Sequence, residues 1–204
     1  MSSTSMSIAT ITRPIAILLA FLFSAAWAQS FEEGMTAYKE GNYETAFEVF
    51  QSLAEEGDAF AQFNVGAMYN NGEGVPADDS EAVRWYRAAA EQGHALAQFN
   101  LGIMYDNGEG VIQDYSEAVR WYRAAAEQGY APAQTNLGLN YLLGEGVPES
   151  LVTAHMWLNI ASANGNRGAR DARSDVADLM SRETIDEAQS RARTCMESGY
   201  QDCD

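Results

Sequence analysis

The sequence predicts an all-α protein, a solenoid of antiparallel helix pairs, and three observations carry that prediction. Gly57, Gly93, Gly129 and Gly165 stand 36 residues apart. Trp85, Trp121 and Trp157 keep the same interval, as do Ala82, Ala118 and Ala154. Residues 57–92 and 93–128 differ at eight of 36 positions, and 129–164 follows with no insertion or deletion. A period of this length marks stacked units that each leave an apolar face for the next to cover.

Residues 1–28 are expected to be a signal peptide. Arg13 supplies a positive flank and an apolar run extends from Ile15 to Phe23. Ala26-Trp27-Ala28 then fits the small-x-small rule for cleavage after Ala28. The run is about half the ~20 residues a spanning helix needs, so the mature chain is expected to be periplasmic or secreted, without membrane insertion. Within the N-terminal segment 29–56, residues 31–56 align with the second half of a repeat through Ala46, Val49, Phe50 and Gly57. Their shorter connection, from Lys39 to Tyr43, lacks the turn of the later copies, which predicts an N-terminal capping helix pair.

Each unit within 57–164 reads as two helices. From Ala59 to Tyr69, small and apolar residues recur near helical spacing. Asn71-Gly72-Glu73-Gly74-Val75 interrupts them, because paired glycines favour turns. Asp78, Asp79 or Ser80 can cap the second helix, whose apolar stripe runs through Ala82, Val83, Trp85, Tyr86, Ala89 and Ala90. Gly66, Gly102 and Gly138 lie inside the first helices, where Gly costs about 1 kcal/mol relative to Ala. A cost repeated in register predicts close helix–helix contact there. Residues 165–204 predict a C-terminal helical cap of two helices divided near Ser181; 166–197 hold six of the chain's basic residues.

Composition narrows the function. At 47% hydrophobic the chain can bury a core. Its formal charge of −17 argues against nucleic acid and anionic lipid, which need clustered Lys and Arg. Cys195 and Cys203 are the two cysteines, and in an exported chain they are expected to form a disulfide. A straight helix would hold them ~12 Å apart, so Gly199 must end it and turn the tail back.

Catalysis finds little support. His94 and His155 have no partner at metal-ligand or triad spacing, and His94 reads as a surface residue. No catalytic residue, metal or cofactor is expected, and the chain is read as not an enzyme. The Asn-Gly-Glu-Gly loops lack the spacing of a calcium loop. The Trp series sits on the buried stripe and is read as core. Arg84, Arg87, Arg120 and Arg123 are expected to cover the aromatic rims and pair with Glu91 and Glu127.

Binding is the remaining reading, and the first helices offer the surface. Gln62, Asn64, Gln98, Asn100, Gln134 and Asn136 form a row of amides suited to a peptide backbone or a glycan. They could equally bond to the neighbouring repeat. Ala67, Ile103 and Leu139 vary within otherwise matching helices, which marks positions that are exposed or specialised.

The run Ala-x-Ala-Gln-Phe-Asn-Val/Leu-Gly-x-Met-Tyr, followed by Gly-Glu-Gly-Val and Glu-Ala-Val-Arg-Trp-Tyr-Arg-Ala-Ala-Ala-Glu-Gln-Gly, resembles the Sel-one-like repeat (SLR) family, which is related to tetratricopeptide repeats. The resemblance implies a right-handed α-solenoid whose first helices line a concave face. It also implies an adaptor in envelope assembly, signalling or host contact. Cysteine-rich relatives linked with β-lactams carry a Cys pair in every repeat, which this chain lacks. The expected role is therefore an exported adaptor or scaffold for a protein or peptide, with weak homo-oligomerisation open. The alternatives are a glycan or peptidoglycan binder, and then a hydrolase of β-lactams or cell wall.

Overall fold

The computed structural model describes residues 30–203; the expected signal peptide, with its cut after Ala28, lies outside the described residues. Ten helices and no strand occur among those residues. They are α1 (residues 30–39), α2 (Tyr43–Glu55), α3 (Ala59–Asn71), α4 (Asp79–Glu91), α5 (Ala95–Asn107), α6 (Tyr115–Ala126), α7 (Ala131–Leu143), α8 (Leu151–Ala163), α9 (Arg167–Ala177) and α10 (Arg182–Glu197). From α2 to α9 each helix packs on the next, which makes an α-solenoid of antiparallel pairs.

The ends of these helices follow from local chemistry. Asp78 and Asp114 accept from the backbone N–H groups two and three residues on, so they cap α4 and α6. Ser150 caps α8. Asp58 and His94 cap α3 and α5 through side-chain acceptors. Tyr130 makes no such bond, and Pro132 in the first turn of α7 presets the helix instead. The first helices stop at Gly72, Gly108 and Gly144, all in left-handed conformation.

Small residues let the pairs close. Ala61, Ala82, Ala97, Ala118, Ala133 and Ala154 are fully buried. At Gly66 and Gly102 an added Cβ would meet the rings of Tyr86 at 2.8 Å and Tyr122 at 2.7 Å; at Gly138 it would meet Leu158 at 2.9 Å. The repeated mid-helix glycine thus admits a large side chain from the partner helix. Trp85, Trp121 and Trp157 are buried in the stack, each worth about 1.5–3 kcal/mol by area removed from water. Arg84 and Arg120 lie over the neighbouring indoles, 4.2 and 4.0 Å from the ring centroids, and pair with Glu81 and Glu117. Arg87 bonds the Tyr105 hydroxyl and Arg123 that of Tyr141.

A second contact joins successive units. At Gly74, Gly110 and Gly146 a Cβ would fall 2.2–2.3 Å from the carbonyl oxygens of Tyr43, Asp79 and Tyr115. Each Gly-Glu-Gly turn therefore rests on the start of the preceding unit's second helix. At the N-terminal end α1 packs on α2 through Phe31 and Phe50. The Tyr38 hydroxyl bonds Glu73 at 2.8 Å, and that bond with burial pushes its pKa up to about 12.

The C-terminal end departs from the repeat. α10 packs across α8; Ala192, Cys195 and Cys203 join the core around Trp157 and Ile160. Cys195 and Cys203 are bonded, with Cα atoms 4.5 Å apart. Gly199 and Tyr200 both take positive φ, and the Tyr200 N–H bonds the Cys195 carbonyl, which turns the tail back.

His155 replaces the Val83 and Val119 of the earlier copies. It is 2% exposed, and its Nδ1 has no hydrogen-bond partner. Burial, and then the nearby Arg173, hold its pKa below the ordinary value. The unfolded chain therefore binds more protons than the folded one as pH falls through about 6.5. The stabilising contribution is complete above that pH and is lost below it. Thermal melts from pH 8 to pH 5 should show a falling melting temperature, flattened in His155→Val; an unchanged slope in the variant would contradict this.

Candidate functional site

The structure separates the amide row into two groups. Gln62, Gln98 and Gln134 are 7%, 6% and 0% exposed. Their Nε2 groups donate to the carbonyls of Ala54, Ala90 and Ala126 on the preceding second helix, at 3.0–3.1 Å. Their Oε1 atoms accept from Gln92, Gln128 and Asn164 at the end of their own unit. Each glutamine ties three helices together, so the three are stacking residues rather than a free binding row. Each of these last-turn carbonyls lies outside the i→i−4 ladder and already accepts from Gly57, Gly93 or Gly129, and its second lone pair takes the glutamine amide.

Gln98→Leu removes that donor while keeping most of the volume. It should cost about 1–2 kcal/mol, because the bond to the Ala90 carbonyl and the bond from Gln128 are lost together, although the Gly93 N–H still pairs that carbonyl. A denaturant midpoint unchanged from wild type would show that the bond adds nothing.

The other residues face outward to different degrees. Asn64 is half-buried and donates to the Phe60 carbonyl of its own helix. Asn100 and Asn136 lie beside the hydroxyls of Tyr86 and Tyr122, which they favour in the ionised form against the stronger effect of burial. Ala67, Ile103 and Leu139 are half-exposed along α3, α5 and α7. Phe60 and Leu96 are exposed at 57% and 40% near the starts of α3 and α5.

His94 is not a free surface residue. Its ring stands edge-on to Phe60 at 4.9 Å and stacks on Phe63 at 4.8 Å, while Nδ1 accepts from the Ala97 N–H. Burial holds its pKa low, against the opposing pull of Asp58. It joins α3 to α5 as a wedge. The edge that Phe63 and His94 share is held in the next unit by Phe99 and Tyr130, 5.1 Å apart.

One feature was missed by the sequence reading. A notch of about 160 Å³ lies between α5 and α7, lined by Asp106, Asn136, Leu139, Asn140, Leu143 and Glu145. Its signal was present in the sequence, since Asp106 is the one charged residue on α3, α5 and α7. The Tyr122 hydroxyl donates to Asp106 at 3.2 Å, with Asn136 beside it. Burial raises the Asp106 pKa, an effect the Tyr122 bond opposes. Among the described residues no group of three or more His, Cys, Asp or Glu is placed to hold a metal ion. No helix among them is long and apolar enough to cross a membrane.

The Sel1 repeat matches residues 59–94, 95–130 and 131–166, more than half of the chain. A Sel1 repeat protein from Oxalobacter formigenes superposes with a TM-score of 0.66 at 35% identity, over 71% of this chain and 57% of that one. A protective antigen of uropathogenic Escherichia coli strains, displaying an SLR fold, gives 0.72 at 30% identity, over 83% and 42%. An exopolysaccharide production negative regulator of Rhizobium leguminosarum bv. viciae is 39% identical over 56 residues, 28% of this chain and 21% of the regulator. The match therefore spans about a fifth of that curated relative's length. Proteins built of such repeats are in general protein-interaction scaffolds, and this chain belongs to the Sel1 repeat family.

Proposed function

We propose that the mature chain is an exported adaptor that holds a protein or peptide on the face formed by α3, α5 and α7. One observation carries this reading. Ala67, Ile103 and Leu139 stay half-exposed there, beside Asn64, Asn100 and Asn136, and Ala67, Ile103 and Leu139 vary between near-identical copies. Ala67 and Ile103 touch the core with one side, and each of the three keeps part of its apolar surface open to solvent. An extended face on a stacked array gives a partner a long line of contact.

Export is supported by the pattern from Arg13 to Ala28 and by the buried Cys195–Cys203 bond, since structural disulfides persist in oxidising compartments. The E. coli antigen and the Rhizobium regulator are consistent with an envelope or signalling role. A glycan-binding reading loses its aromatic platform, because Trp85, Trp121 and Trp157 are buried.

Photocrosslinking in cells from positions 67, 103 and 139 tests the proposal. One shared protein partner is expected at all three positions. Crosslinks arising from Glu73 and Glu109 alone would move the working surface to the turn edge. Retention of the protein on insoluble cell wall, with no protein captured, would favour peptidoglycan.

A further inference from the structure

We infer that the notch between α5 and α7 receives one cationic side chain, Lys or Arg, of the bound partner, with Asp106 as its counter-ion. This rests on the adaptor reading and adds the chemistry of the partner. About 160 Å³ is too small for a cofactor-sized ligand, which occupies some 300 Å³ or more. It suits the head and stem of a single long side chain. Leu139 and Leu143 supply apolar wall for the stem, while Asp106 and Glu145 supply two carboxylates, and no Lys or Arg lines the notch.

The placement of Asp106 is unfavourable by helix position and by burial, with a single neutral hydrogen bond set against them. It sits in the last turn of α5, where the helix dipole opposes a negative charge. It is half-buried, and its hydrogen bond comes from Tyr122, a neutral donor. The same position in the first unit is Asn70, so the repeat folds without a carboxylate there. In that unit the amide bonds Asp79 on the following helix. Asp106 is therefore not needed for the turn, and a cation seated beside it would offset both its burial and its dipole repulsion. Leu143 is equally local: the earlier copies carry Asn71 and Asn107, which bond the turn glutamates, whereas Leu143 is 63% exposed. Carboxylate and aliphatic surface thus arise together, where the third unit meets the second. A chain of −17 net charge draws a basic segment toward this face at long range.

The test is selection of a random-peptide phage library on the wild-type protein, on Asp106→Asn and on Leu139→Asn. Asn at 106 is the residue of the first unit, so the fold should survive, as circular dichroism will confirm. Wild-type protein should enrich peptides carrying Lys or Arg next to aliphatic residues. The best of them, synthesised, should bind Asp106→Asn about tenfold or more weakly, with a salt dependence that the variant loses. Enriched peptides without a cation, or bound equally by Asp106→Asn, would overturn the inference. If those peptides still required Leu139, the adaptor face would stand and only its charge chemistry would fall. Absence of any enrichment on wild type would remove both.

Discussion

Gly110→Ala should destabilise the protein by about 3 kcal/mol, as should the same change at its counterparts Gly74 and Gly146. Two effects combine. Gly110 has φ +67, a conformation that costs an L-residue roughly 1–2 kcal/mol. The new Cβ would also stand 2.3 Å from the Asp79 carbonyl, a backbone atom that can yield only by separating two units; overpacking of this kind costs typically 1–3 kcal/mol. Gly93→Ala is the matched control. It too has positive φ, at +89, but nothing lies within 4 Å of its Cβ, so the conformational part alone should appear. Denaturant melts of both variants separate the two effects. Equal losses would mean that the Gly-Glu-Gly turn is only a turn and carries no contact between units.

Breaking the Cys195–Cys203 bond should cost about 2–3 kcal/mol, from the closure entropy of a short loop, and the loss should be local. α10 packs across α8 and its tail returns to the stack. Tyr200 lies against Gly129, and its hydroxyl bonds Asn164. Asn164 is also the residue that bonds Gln134, so the tail braces the last stacking contact. Cys195→Ser with Cys203→Ser, or reduction, should raise amide exchange in α10 and the tail first. Exchange in α8 should follow, while α3 to α5 remain protected, since units in a linear stack contact only their neighbours. Unchanged protection of α10 after reduction would show that helix packing, not the bond, holds the end.

These effects set the terms on which the fold was legible. The 36-residue spacing of Gly, Ala and Trp determined the helix pairs, because a small residue repeated in register has meaning only if the same close approach recurs. The mid-helix glycines told of that approach without saying that Tyr86, Tyr122 and Leu158 fill it. The Cys195–Cys203 bond was anticipated from an even cysteine pair in a chain read as exported, with Gly199 able to turn the tail back over a spacing too long for a straight helix.

The sites were less legible. Gln and Asn two residues apart look alike in a pattern of polarity, yet Gln62, Gln98 and Gln134 are buried while Asn64, Asn100 and Asn136 are not. The distinction depends on where the preceding helix ends and turns a last-turn carbonyl toward the next unit, which is a property of the stack. His94 reads as a polar residue at a helix start, but Phe60 and Phe63 reach it from the previous unit. Asp106 was visible as a lone charge, whereas Leu139, Leu143 and Glu145 meet it only because α7 lies beside α5.

The amino-acid sequence by itself determined the period, the helices and their turns, since these arise from backbone preference and from apolar spacing within a unit. Which polar side chains are bonded within the stack and which face outward was decided by tertiary structure alone. Their environment is set by atoms some thirty residues away, such as the Gln128 amide that meets Gln98, and no local pattern records that neighbour.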